Sequence, residues 1–135
     1  MDEKALLKAA EEAALNSYSP YSRFRVGAAI LLEDGSIITG TNVENRSFGL
    51  TNCAERSALF TAISSGRKDF AALAVACPDA REPVSPCGAC RQALSEFTSG
   101  DFPVYYKGSA DKVVRTTMGE LLPADSLHDL KTREP

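Results

Sequence analysis

No long hydrophobic run occurs in this sequence. Its longest apolar stretch, Phe70 to Cys77, is far short of the roughly 20 residues needed to cross a bilayer, which excludes a spanning helix. There is no run of Lys and Arg either, and the formal net charge is −3. Tracking a long nucleic acid needs cations clustered against the phosphates, so that partner class is excluded as well. A small uncharged ligand suits this charge balance better. The opening residues Met1-Asp2-Glu3-Lys4 do not have the basic and apolar regions of a secretory leader. Histidine is scarce: His128 is the one imidazole, and its polar surroundings near the C-terminus mark a surface residue rather than a ligand.

What is present is enough for one ordinary core. With 135 residues, 44% of them hydrophobic and 24% charged, the expectation is a single domain over residues 1–135. Four cysteines without an export signal point to a reducing compartment, the cytoplasm. There thiols serve as metal ligands or core residues more often than as disulfides.

From Glu3 to Leu15 the apolar residues Leu6, Leu7, Ala10, Ala13 and Ala14 recur at helical spacing, which predicts a one-faced surface helix. Ser17 to Tyr21 breaks the pattern at Pro20, and Tyr18 and Tyr21 read as loop anchors. Phe24 to Leu32 and Ile37 to Val43 are rich in strand formers around Glu33-Asp34-Gly35-Ser36, the signature of a hairpin. Ala54 to Ser65 predicts a helix with Gly66 as its left-handed terminator. Ala71 to Cys77 has almost no polar break, as expected of a strand covered on both faces. After a polar loop from Pro78 to Pro86, Cys87 to Phe97 predicts a second short helix. Strands at Phe102 to Lys107 and Val113 to Met118 follow, then a helical turn at Gly119 to Pro123 and a disordered tail from Lys131. Strands alternating with helices after an opening hairpin predict an α/β fold: a mixed sheet of about five strands in a three-layer α/β/α sandwich.

The chemistry concentrates in Asn52-Cys53-Ala54-Glu55-Arg56 and Ser85-Pro86-Cys87-Gly88-Ala89-Cys90-Arg91-Gln92, each opening a predicted helix. Cys87 and Cys90, three apart at a helix start, present their sulfurs on one face of the first turn, and Cys53 supplies a third sulfur for a tetrahedral ion. Helix N-termini favour thiolates over thiols. Three protein ligands leave the fourth zinc position to water, whose acidity the metal raises. Glu55, two residues past Cys53, can reach that water without ligating zinc and act as a proton shuttle. Zinc with three thiolates carries one net negative charge, and ionised Glu55 brings the cluster to two. Arg56, and also Arg91 beside Cys90, can donate to the sulfurs and drain that excess.

These two stretches resemble the zinc-dependent cytidine deaminases, a class whose non-ligating glutamate and His/Cys/Cys or three-cysteine zinc are well described. A cysteine in the first ligand position resembles the small homotetrameric members that act on free nucleosides. Pro20 to Ala29 and Gly40 to Asn45 also follow the family pattern, so the likeness runs from about Leu6 to Pro123. It implies that Phe24 packs against the pyrimidine, that Asn42 and Glu44 hydrogen-bond the ribose, and that Ala54 also meets the substrate. It implies Zn2+ as cofactor, a nucleoside as substrate, and attack of water at C4 of cytosine. Glu55 then carries the proton to the ring nitrogen and to the leaving amine. The chain departs from the pattern after Leu121-Leu122-Pro123, where a phenylalanine reaching a neighbouring subunit's pocket is usual. No phenylalanine follows Phe102, and Leu127 or Phe48 is left to form that wall.

Other readings compete with this one. The altered C-terminus keeps open a deaminase of a cytosine-nucleoside antibiotic such as blasticidin S. A structural site of Cys53, Cys77, Cys87 and Cys90 would make a non-catalytic zinc-binding module, although Cys77 ends an apolar strand and reads as a core thiol. A redox dithiol would leave Cys53, Glu55 and Arg56 without purpose. Arg23, Arg25 and Arg46 read as an exposed basic edge or a subunit contact.

Overall fold

The structure, a computed structural model, describes residues 2–131. The first helix, α1, spans Glu3–Ala14, and the Asp2 side chain caps it by accepting from the Ala5 amide at 3.2 Å. Its buried face is Leu6, Leu7, Ala10, Ala13 and Ala14, the stripe expected from spacing. Strands β1 (Gly27–Leu32) and β2 (Ile37–Thr41) form the predicted antiparallel hairpin. Its turn uses Gly35 at φ +90° and the Asp34 carboxylate, which accepts from the Ser36 amide and hydroxyl; the positive φ is one that glycine adopts without steric cost.

Helix α2 (Ala54–Ser64) lies against this hairpin and is followed by Gly66 at φ +83°, the left-handed terminator expected there. Strand β3 (Phe70–Ala76) is central, then helix α3 (Gly88–Ser95), strands β4 (Pro103–Lys107) and β5 (Val113–Thr117), and helix α4 (Met118–Leu121). The sheet order is β2-β1-β3-β4-β5, with β3 and β4 parallel and every other pair antiparallel. The sheet is therefore mixed, as predicted, because α3 forms the one crossover that parallel neighbours require.

Two cores cover the two faces. On one, Leu6, Leu7 and Ala10 of α1 meet Ala29, Ala72, Ala74 and Ala76, a row of small side chains that lets the helix lie close. On the other, α2 and α3 pack on Ile30, Leu32, Leu73, Val75 and Val104. Each such aliphatic side chain, fully buried, contributes about 1.5–3 kcal/mol. The result is the expected three-layer α/β/α arrangement.

Three boundaries differ from expectation. The first strand starts at Gly27 rather than Phe24, because Arg23 takes φ +56° and the next residues are held by side chains instead of a strand partner. β2 stops at Thr41, and Val43 makes only isolated bridges to Tyr18 and Asn52. Near the C-terminus a short helix, α5 (His128–Lys131), includes Lys131, which the sequence reading gave to a disordered tail. Residues 132–135 of that tail lie outside the described residues.

Candidate active site

Both cysteine motifs sit at helix starts. Cys53 is the N-cap of α2 and Cys87 the N-cap of α3, each with extended backbone angles and neither with a side-chain cap bond. The sulfurs are thus free to point at each other. Cys53 and Cys87 Sγ are 3.7 Å apart, Cys87 and Cys90 Sγ 3.3 Å, and all three lie within 4.8 Å of one another. Helix α2 rests on the β1–β2 hairpin and α3 carries the crossover to β4, so the sheet brings together residues 34 or more positions apart.

The electrostatics order the three thiols. Hydrogen bonding from Cys90, and then from Arg56, holds the Cys53 thiol down at about 5, while the same pairing together with burial keeps the Cys90 proton firmly in place. Arg56 Nη2 donates to Cys53 Sγ at 3.3 Å. Its Nε is buried without a partner, an orphan donor beside a cluster that becomes fully anionic when thiolates bind a metal. Three convergent soft sulfurs and a spare guanidinium donor fit a zinc ion.

Glu55 is 4% exposed, in the first turn of α2, and burial pushes its carboxyl above the usual range. It lines a cavity of about 190 Å³ together with Asn42, Ala54, Cys53 and Cys87. Arg91 does not face the sulfurs: its guanidinium donates to the Pro86 carbonyl, the Leu121 carbonyl and Ser85 Oγ at 2.8–2.9 Å. The expectation that Arg91 drains charge from the cluster is therefore corrected. Its planar fork takes two acceptors from the loop before α3 and one from α4, so it pins that loop to α4 instead.

Asn42 is 8% exposed and heavily engaged. Its Oδ1 accepts from Val26 N at 2.9 Å and Ser17 Oγ at 2.5 Å, and its Nδ2 donates to the Phe24 carbonyl at 2.8 Å. One amide proton remains for a ligand. Glu44 does not share a strand with it, since β2 has ended. The Glu44 carboxylate accepts from the Tyr21 and Ser22 amides and the Ser22 hydroxyl, which hold it below its ordinary value. Glu44 faces a hollow lined also by Tyr21, Phe48 and Thr51, and Thr51 borders the cavity too. Phe24 is half-buried against the core under α2 and is not among the cavity's lining residues; Val26, two positions on, is.

Sequence reasoning missed several lining residues: Val26, Thr51, Asn52, Val84 and Ser85. Asn52 and Ser85 open the two cysteine motifs and Thr51 and Val84 directly precede them, so adjacency was an available signal. Val26 had none, because only the sheet brings it there. Cys77 is 1% exposed in the core, as expected of a strand thiol, but it also lines the cavity. Burial, and then the nearby Glu55 and Asp79 charges, pushes its thiol up to about 12.

Comparison with known proteins agrees with this geometry. A cytidine deaminase of Halalkalibacterium halodurans is 52% identical over 123 residues, covering 91% of this chain and 92% of its own. One from Sporosarcina psychrophila is 49% identical over 131 residues, 96% of each chain. A blasticidin-S deaminase of Bacillus cereus is 37% identical over 109 residues, 76% of each. The 1.6 Å crystal structure of a cytidine deaminase from Burkholderia pseudomallei superposes with a TM-score of 0.87 at 44% identity, covering 92% of this chain and 98% of that one. Residues 1–106 match the model of the cytidine and deoxycytidylate deaminase zinc-binding region, and with three sulfurs converging beside a buried glutamate, the chain belongs to that family of zinc-dependent deaminases.

Proposed function

We propose that this chain hydrolyses cytidine and 2′-deoxycytidine to uridine and 2′-deoxyuridine, releasing ammonia, as a step of pyrimidine salvage in the cytoplasm. One domain, residues 1–135, carries the zinc ligands and the proton shuttle. The observation that carries this reading is the buried Glu55 lining the same cavity as Cys53 and Cys87, whose sulfurs cluster with that of Cys90. Cys53, Cys87 and Cys90 hold the zinc, which when bound acts as a Lewis acid on water at near-neutral pH.

Glu55 takes a proton from the attacking water, gives it to the pyrimidine ring nitrogen, and then moves a proton to the amine that leaves C4 as ammonia. Its burial keeps the carboxyl out of bulk solvent, so protons go between water and base rather than to the medium. Arg56, bonded to Cys53 Sγ, offsets negative charge on the sulfurs. Ala54, fully buried at the start of α2, forms the cavity wall against the base. The free amide proton of Asn42 and the remaining lone pairs of Glu44 meet the ribose hydroxyls across Thr51. Phe24 supports the base side from the core through Val26.

The site sits beside an exposed apolar lip. Phe48 is 74% and Leu50 71% exposed, and the Phe48 ring meets Tyr21 edge-on at 5.9 Å. Large exposed apolar groups of this kind mark association surfaces, and we assign this lip to the boundaries of a homotetramer, with Phe48 rather than Leu127 as the wall the usual C-terminal phenylalanine would form. A non-catalytic zinc module would need a filled fourth ligand position and no pocket beside the metal, and among the described residues only Cys53, Cys87 and Cys90 group together, beside a cavity.

The test is the ultraviolet change as cytidine becomes uridine, with and without a chelator. Turnover that the chelator abolishes is expected; no turnover of either nucleoside removes the proposal. Glu55→Gln should keep stoichiometric zinc while kcat falls about 10²- to 10⁴-fold, and loss of the zinc instead would make Glu55 a ligand.

A further inference from the structure

The cavity has two walls that come from different parts of the chain. One is Val26, the cavity-lining end of the extended segment Phe24–Val26 that leads into β1. The other is the loop from Cys77 to Cys87, which leads from β3 into α3 and supplies Val84, Ser85 and the ligand Cys87. Arg25 and Asp79 stand between them. Arg25, read from the sequence as part of an exposed basic edge or a subunit contact, keeps a side chain 41% exposed and is clamped there. Its backbone amide donates to Asp79 Oδ2 at 2.8 Å, its Nε to the same oxygen at 3.0 Å, and its Nη2 to Oδ1 at 2.8 Å. Among the described residues, these are the hydrogen bonds that join residues 20–26 to residues 77–86.

Beyond the β1–β3 ladder, which ends at Gly27 and Ala76, each wall is tied elsewhere. The Phe24–Val26 segment hangs from Asn42. The loop is tied to the β4–β5 side through Ser109 and Ala110, and to α4 through Arg91. The turn delivering Arg25 is itself unusual: Arg23 sits at φ +56°, closed by its amide on the Ser19 carbonyl at 2.9 Å. A non-glycine residue in that region is strained and persists where surrounding contacts enforce it. The three bonds from Arg25 to Asp79 lie two residues beyond it.

We propose that the Arg25–Asp79 clasp is a positioning pair for the deaminase reaction: it sets the separation of the two cavity walls and so the affinity for the nucleoside. This rests on the reading of the cavity as the nucleoside site. Neither side chain touches substrate. Arg25 holds Val26 and Asn42's partners in register, and Asp79 holds the loop that carries Val84 and Ser85. The bidentate guanidinium–carboxylate geometry adds direction as well as attraction, so it fixes an orientation that a single contact would not.

The bond count predicts an order. Asp79→Ala removes all three bonds, Arg25→Ala removes two and leaves the backbone amide on Asp79, and Asp79→Asn keeps an acceptor for that amide. KM for cytidine should therefore rise in the order Asp79→Asn, Arg25→Ala, Asp79→Ala, reaching about tenfold in the last, with kcat changed by less than about threefold. The double variant Arg25→Ala/Asp79→Ala should be no worse than Asp79→Ala alone, because the partners act through one contact. Arg115→Gln, which breaks the still shorter Arg115–Glu3 pair at 2.6–2.7 Å on the far strand, should leave KM unchanged. The experiment is steady-state kinetics on the zinc-loaded enzyme with thermal unfolding measured alongside.

Three results would overturn the clasp: KM unchanged in Asp79→Ala, single effects that multiply in the double variant, or KM changes matched by Arg115→Gln at equal loss of Tm. A wild-type enzyme that does not turn over cytidine would instead overturn the nucleoside-site reading, and equilibrium binding of the nucleoside would then show no affinity to compare.

Discussion

Gly40 offers a direct test of how the fold positions the chemistry. It lies on β2 under α2, opposite Ala28 of β1. A Cβ there would fall 2.3 Å from the Ala58 amide nitrogen, 2.8 Å from the Ala54 carbonyl oxygen and 2.8 Å from the Ser57 carbonyl carbon. All three are backbone atoms, which cannot rotate away as a side chain can. Ordinary contact begins near 3.4 Å, so Gly40→Ala must push α2 off the sheet by about 1 Å, an overpacking that costs roughly 1–3 kcal/mol. The N-terminal turn of α2 carries Cys53, Glu55 and Arg56, whereas Cys87 and Cys90 ride on α3. The shift therefore moves the shuttle and one sulfur relative to the other two. A misplacement of about 1 Å lowers catalysis on the order of 10²-fold.

Gly40→Ala should consequently lose kcat/KM by about that factor, with Tm down by roughly 3–15 °C. Metal analysis should show weakened zinc retention. Gly100→Ala, whose new Cβ would meet nothing nearer than Gly119 Cα at 3.9 Å, should leave Tm unchanged and serves as the control. A Gly40→Ala protein with wild-type Tm and kcat/KM would refute the claim that this backbone contact seats α2.

Two further outcomes are expected. Arg56→Gln should retain the fold but lower kcat about 10- to 100-fold, since it removes a charged donor 3.3 Å from Cys53 Sγ; unchanged kinetics would discard charge compensation. The Cys77 thiol ionises near 9 in the unfolded chain but only at about 12 in the fold, so between those values the unfolded state binds fewer protons and stability must fall as pH rises. Denaturant midpoints at pH 8 and about 10.5 should therefore diverge more for the wild type than for Cys77→Ala, and equal divergence would show that Cys77 is not the source.

Much of the site was legible because its chemistry is local. Cys87 and Cys90 are three apart, Glu55 is two past Cys53, and Arg56 reaches Cys53 within one helical turn. Helix α1 was equally plain, since its buried face is a simple periodicity. The errors fall where side chains take over from backbone pairing. Phe24 to Val26 reads as strand, but Asn42 and Asp79 capture those residues before they can pair. Arg91 beside Cys90 looks like a partner for sulfur, yet three carbonyl and hydroxyl acceptors claim it. Neighbours in sequence do not say which acceptor a long side chain will find.

The order of residues alone was enough to single out Cys53, Cys87, Cys90 and Glu55 as candidates and to imply the layered α/β class, because spacing along helices and strands determines which groups share a face. The sheet order decided the rest. It set Cys53 of α2 3.7 Å from Cys87 of α3, brought Val26 and Cys77 to one cavity, and joined Arg25 to Asp79 across 54 positions. Contacts of that separation depend on which strands lie side by side, and no local pattern encodes that.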